Sequence, residues 1–131
     1  MADITFDEAV RQCISHDPRY HPEAYDFVRD ALHVAVKRFC EGNEDKHVGG
    51  QQLLEGVREH ALREYGPMSL FVLRQWGVNS GIDIGHIVYN LIETKYFGKS
   101  KGDSLEDFTQ GYDFEEAFSA PFLPSKPIPA S

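Results

Sequence analysis

Apolar side chains recur along most of this chain at the three- and four-residue spacing of helices. Phe6, Ala9, Val10, Cys13 and Ile14 follow the i, i+3, i+4, i+7, i+8 pattern of one buried stripe. Thr5-Phe6-Asp7-Glu8 reads as a capping box that starts the helix, and His16-Asp17-Pro18 ends it near Ser15, because a residue before proline avoids helical backbone angles. Pro22 suits a first helical turn, and Ala24, Phe27, Val28, Ala31, Leu32, Ala35, Val36 and Phe39 then form a broad apolar face that lasts until Gly42. A third helix opens near Gly49-Gly50, places Leu53, Leu54, Val57, Ala61, Leu62 and Tyr65 on one side, and closes at Gly66-Pro67.

The segment from Pro67 to Trp76 is apolar nearly all round, which predicts a short, deeply packed helix. Gly77-Val78 suits a left-handed cap with a hydrophobic closing contact. Ser80 is the next N-cap, and the helix behind it carries Ile84, Ile87, Val88, Leu91 and Ile92 toward Phe97. Five helices are therefore expected, in one mainly α domain spanning residues 1–120.

Beyond Gly98 the pattern loosens. Gly98-Lys99-Ser100-Lys101-Gly102 reads as a turn, and Asp103-Ser104-Leu105-Glu106 fits either a short helix or the return strand of a small hairpin. Six acids and no base lie between Asp103 and Glu116, interleaved with Leu105, Phe108, Tyr112 and Phe114, so docking on the core is expected rather than a solvated acidic tail. The prolines from Pro121 onward predict an extended tail over residues 121–131.

Composition narrows the function classes. Thirteen Lys and Arg against 21 Asp and Glu give a formal net charge of −8, which repels phosphate backbones and makes nucleic acid an unfavourable partner. Two cysteines, Cys13 and Cys40, are too few for a disulfide framework and fall within apolar helical patterns, as buried thiols do. The start, Met1-Ala2-Asp3-Ile4, lacks a basic region and an apolar stretch, and no segment is apolar for long enough to span a bilayer; a cytoplasmic protein with no membrane association is expected.

A set of short strings runs across nearly the whole chain: Asp17-Pro18-Arg19-Tyr20, His47-Val48-Gly49-Gly50-Gln51-Gln52-Leu53-Leu54-Glu55-Gly56, Trp76-Gly77-Val78, Asp83-Ile84-Gly85-His86 and Tyr112-Asp113-Phe114-Glu115-Glu116. In these the sequence resembles a small family of conserved bacterial proteins, of planctomycete and verrucomicrobial type, that has no assigned activity. The resemblance implies a bacterial cytosolic protein and transfers no catalytic residue. It departs from the family pattern at Gly49, where a serine cap is expected, although glycine also serves there. Separately, the order of the last three helices followed by a lysine-glycine turn is similar to a winged helix; a helical bundle with a folded-back tail fits equally well.

Candidate chemistry is sparse. Cys13, His16 and His21 cluster near the first helix end, but no CxxC, HExxH or second ligand pair accompanies them, so no metal or other cofactor is expected. Asp83 and His86 form a single i, i+3 pair, where a di-iron bundle uses two. Neither cysteine has the electropositive setting of a nucleophile. Ser69 lacks the glycines of a nucleophile elbow. Arg19 stands out: it can clamp the turn by pairing with Asp17, Asp26 or a C-terminal acid, or it can grip an external carboxylate bidentately. The clamp is favoured because intramolecular acids abound.

These readings converge on a non-enzymatic protein–protein interaction module, a homodimer being one form of it, with Arg19, Tyr20, Asp107, Phe108, Phe114 and Phe118 as candidate interface residues. The alternatives are a winged-helix-like regulator that binds nucleic acid through residues 81–97, and a small enzyme whose site carries no recognisable motif.

Overall fold

The computed structural model describes residues 4–40, 48–96, 108 and 111–122. The five expected helices are present: α1 (Phe6–His16), α2 (Pro22–Phe39), α3 (Gly50–Tyr65), α4 (Ser69–Gln75) and α5 (Gly81–Glu93). A sixth, α6 (Phe114–Ser119), follows, and 3-10 turns cover Gly66–Met68 and Ala120–Phe122. No strand occurs among the described residues.

Several starts and stops are those the sequence predicts. The Thr5 hydroxyl accepts from the Glu8 amide at 3.2 Å. Gly49 sits in extended backbone at the head of α3 and donates its amide to the Gln52 side chain at 3.0 Å, so an N-cap without a side chain still gains a bond from within the helix. Gly77 has φ +88°, and the Gly77 and Val78 amides return to the Arg74 and Leu73 carbonyls at 3.0 and 2.9 Å, a left-handed cap closed by the buried Val78.

Helices α2 and α3 form the central pair. They run antiparallel, since Arg38 meets Glu55 at one end and Phe27 meets Tyr65 at the other. Gly56 makes their approach close: a Cβ there would lie 2.5 Å from the Ala31 carbonyl oxygen and 2.9 Å from the Ala35 methyl. Around this pair, α1 packs on α2 and α5, α5 reaches α2 and α3, and α4 lies on α3. Helix α6 closes the remaining side against α3 and α4.

Three expectations change. Helix α4 buries Leu70 and Leu73, but Met68 and Phe71 are 53% and 57% exposed instead of deeply packed. An all-round apolar pattern does not reveal which face has a neighbour. Helix α5 stops at Glu93 rather than near Phe97, because the Thr94 hydroxyl donates to the Leu91 carbonyl at 2.7 Å and Lys95 turns to φ +69°. The 3-10 turn Ala120–Phe122 carries helical backbone into the start of the expected tail. Phe97, the lysine-glycine turn, the possible hairpin and the tail beyond residue 122 lie outside the described residues.

Candidate functional site

The Asp17-Pro18-Arg19-Tyr20 turn and one face of α5 build the densest polar cluster. Pro18 forces the chain out of α1, and the Asp17 amide caps the helix by donating to Cys13 O at 2.8 Å. This leaves the Asp17 carboxylate facing inward with only 11% of its side chain exposed. It accepts from Arg19 Nε at 2.7 Å, Arg19 Nη2 at 2.8 Å, the Arg19 amide at 3.3 Å and Asn90 Nδ2 at 2.9 Å. The two-pronged Arg19 bond is the main reason its carboxyl stays well below the usual carboxylate range.

Tyr20, 2% exposed, extends the cluster. Its hydroxyl lies 2.6 Å from Asp83 Oδ1 and 3.1 Å from His86 Nδ1. A phenol has one proton to give, and the shorter contact to a carboxylate takes it. His86 Nδ1 also lies 3.5 Å from Arg19 Nη1, so the ring is in contact with both residues of the turn. Burial first, then the Asp83 carboxylate, pushes the Tyr20 phenol up, so it stays protonated. Asp83 Oδ2 accepts from the Asn79 amide at 2.9 Å.

The network continues inward. Asn90 Nδ2 also reaches the Tyr25 hydroxyl at 3.1 Å, and Tyr25 in turn bonds the Cys13 thiol. Burial pushes the Tyr25 phenol up to about 12 and the Cys13 thiol up to about 11. A thiol so buried is not a nucleophile near neutrality. Cys40 is buried as well.

The turn is also stitched to the end of α4. The His21 amide donates to the Trp76 carbonyl at 3.0 Å, and Gly77 passes so close to Arg19 that any Cβ would collide with its carbonyl oxygen. Arg19 therefore acts as a clamp on the first interhelix turn through Asp17; Asp26, the other acid considered on that stretch, lies near Arg29 at 3.7 Å instead. Chemically, the strongest donors of the cluster are already engaged: the Arg19 guanidinium by Asp17 and the Tyr20 phenol by Asp83.

Of the candidate interface residues that are described, only Arg19 has a largely accessible side chain, 56% exposed. Tyr20 is within the clamp. Phe108, Phe114 and Phe118 are buried at 4%, 3% and 0% exposure, so they hold the C-terminal segment onto its own core and are not available to a partner. Phe114 and Phe118 meet edge to face at 5.1 Å, and the Tyr112 hydroxyl donates to the Leu54 carbonyl. Asp107 lies outside the described residues.

The former metal candidates part company: His16 bonds Gln12 O and approaches Glu93, His21 caps α2, and Cys13 lies under Tyr25. Among the described residues no three His, Cys, Asp or Glu side chains are placed to hold a metal ion, and no helix is long and apolar enough to cross a membrane.

Sequence reasoning missed Asn90, and with it the link from Asp17 to Tyr25, because partners 65 and 73 positions apart leave no local signal. It also missed three exposed large apolar side chains. Met68 ends the 3-10 turn that leads into α4, Phe71 follows in the first turn of α4, and Phe122, 46% exposed, ends the turn that continues α6, the helix packed against α4. Set against protein-family models, curated proteins and solved structures, the chain matches none of them.

Proposed function

We propose that the chain is a non-enzymatic protein–protein interaction module that docks its partner through Met68, Phe71 and Phe122. The observation that carries this reading is the exposure of these three large apolar side chains, at 53%, 57% and 46%. Single exposed apolar residues are ordinary, whereas apolar side chains gathered on adjoining elements favour burial against another chain. All three are Phe or Met, types enriched at interface centres. Exposed acids on α6, Glu115 and Glu116, supply a charged border.

The nucleic-acid alternative has less support. Helix α5, which it would place in a groove, turns Ile84, Ile87 and Leu91 into the core and Asp83, His86 and Asn90 into the clamp. The enzyme alternative would centre on His86, yet its neighbours Arg19 and Tyr20 are already held by carboxylates.

Light scattering over a concentration series, with cross-linking to captured partners, tests the proposal on the wild type and on a Met68→Ser, Phe71→Ser double variant shown to be folded by circular dichroism. Wild type is expected to self-associate or to cross-link a discrete partner, and the variant to do neither. A strictly monomeric wild type whose cross-links persist in the variant overturns it.

A further inference from the structure

The described residues carry three sulfur atoms, and only one of these sits on an exposed residue. Cys13 and Cys40 are 0% and 4% exposed, whereas Met68 is 53% exposed. The chain's other methionine, Met1, lies outside the described residues. Local packing presents the Met68 side chain. The buried Ser69 hydroxyl reaches the Ala61 carbonyl at 2.8 Å and the Gly66 carbonyl at 2.7 Å, which pins the 3-10 turn onto the end of α3. Leu70 and Leu73 follow it into the core, so Met68 and Phe71 are left outside.

The reaction of sulfur with oxidants depends on access and on charge state. Thiols react as thiolates, and burial pushes the Cys13 thiol up to about 11, so near neutrality it is protonated as well as shielded. A thioether has no proton to lose, so an oxidant in solution meets Met68 first. The product, a sulfoxide, replaces a flexible apolar group by a polar, chiral one. In a core this disrupts packing; here the turn is held by Ser69, Leu70 and Leu73 and not by Met68.

We propose that Met68 is an oxidation site whose conversion to the sulfoxide by a peroxide switches off docking without unfolding the chain. The inference rests on the reading of Met68 as a docking residue and adds its regulation. The sulfur attacks one peroxide oxygen, an S–O bond forms as the O–O bond breaks, and sulfur gives up two electrons. The proton of the attacked oxygen passes to the leaving hydroxide, which departs as water. The reverse step takes a dithiol: the sulfoxide oxygen leaves as water and the dithiol closes to a disulfide. A docked partner covers the sulfur, so oxidation falls on the free chain. The sulfoxide oxygen needs a hydrogen bond that an apolar contact does not offer, and this weakens docking.

The folded chain is treated with hydrogen peroxide, quenched and peptide-mapped by mass spectrometry. Met68 is expected to gain one oxygen at least ~10-fold faster than Cys13 or Cys40 oxidises, with the circular dichroism spectrum unchanged. Self-association, or cross-linking to captured partners, should weaken at least ~10-fold and return after treatment with methionine sulfoxide reductases for both epimers. Met68→Leu, whatever its starting affinity, should show no change on peroxide treatment.

Cysteine oxidation that keeps pace with Met68, or loss of the folded spectrum along with it, overturns the proposal. So does an oxidised chain that docks as tightly as the untreated one, a result that leaves the docking reading standing. Weakening that the reductases fail to reverse, or that Met68→Leu shares, places the effect elsewhere in the chain and overturns the proposal as well. An untreated chain that neither self-associates nor cross-links a partner overturns the docking reading first, and the switch falls with it.

Discussion

The Tyr20 hydroxyl donates to Asp83 at 2.6 Å across 63 positions of sequence, tying the α1–α2 turn to the first turn of α5. Because the acceptor is charged and the donor buried, this bond is worth more than an average one, about 1.5–3 kcal/mol. Tyr20→Phe is therefore expected to lower unfolding stability by ~2 kcal/mol in urea titrations. The double-mutant cycle with Asp83→Asn should show positive coupling. Additive losses would mean that the two side chains act independently.

Asp17 makes the clamp pH-sensitive. Its carboxyl is held below its ordinary value in the folded state, so it contributes stability above the unfolded carboxylate range and loses it as pH falls through that range toward the folded value. Asp17→Asn is expected to cost ~2 kcal/mol at pH 7, from the lost charge-assisted bonds to Arg19 and Asn90. The gap between variant and wild type should narrow below about pH 4, where the unfolded carboxyl begins to bind its proton. Urea midpoints measured from pH 7 to pH 2 test this, and a constant gap would contradict it.

Among the described residues, two glycines with positive φ separate backbone strain from collision. Gly66, at φ +51°, has open space where a Cβ would go, so Gly66→Ala should cost only the conformational strain, ~1 kcal/mol. Gly77, at φ +88°, adds contact with the Arg19 carbonyl, so Gly77→Ala should cost more than ~2 kcal/mol and loosen the whole turn. Thermal midpoints of the two variants rank the effects.

The C-terminal aromatics are expected to be part of the cooperative unit. Phe118 is fully buried between α6 and its neighbours, so Phe118→Ala should cost ~3–5 kcal/mol. Deleting the chain from residue 111 onward should abolish a sigmoidal unfolding transition. A truncated chain with an unchanged transition would return α6 to the role of an appendage.

Helices with strong caps and a single apolar stripe were legible from residues alone: Thr5 and Glu8 start α1, Pro22 starts α2, and Gly77 with Val78 stops α4. What lay beyond local reading was the choice between faces. The stretch from Pro67 to Trp76 is apolar nearly all round, and only packing against α3 and α6 decides that Leu70 and Leu73 are inside while Met68 and Phe71 stay out. The docking of Phe108 and Phe114 was legible as a tendency, because acids alone would be solvated whereas aromatics interleaved with them are not.

The site was half legible for the same reason. Asp17 is two residues from Arg19, and their pairing can be read from the string itself. Asn90 and Asp83 meet the turn only after α5 has folded across it.

The buried thiols give the protein two internal clocks. Cys13 lies behind the clamp and Cys40 at the far end of α2, both shielded from water, so a thiol reagent in solution can modify either one only after the structure around it opens. Their labelling rates thus time two separate openings of one molecule. Loosening the clamp with Tyr20→Phe should hasten Cys13 more than Cys40, which would show directly whether the α1–α2 turn opens apart from the rest of the bundle or only together with it.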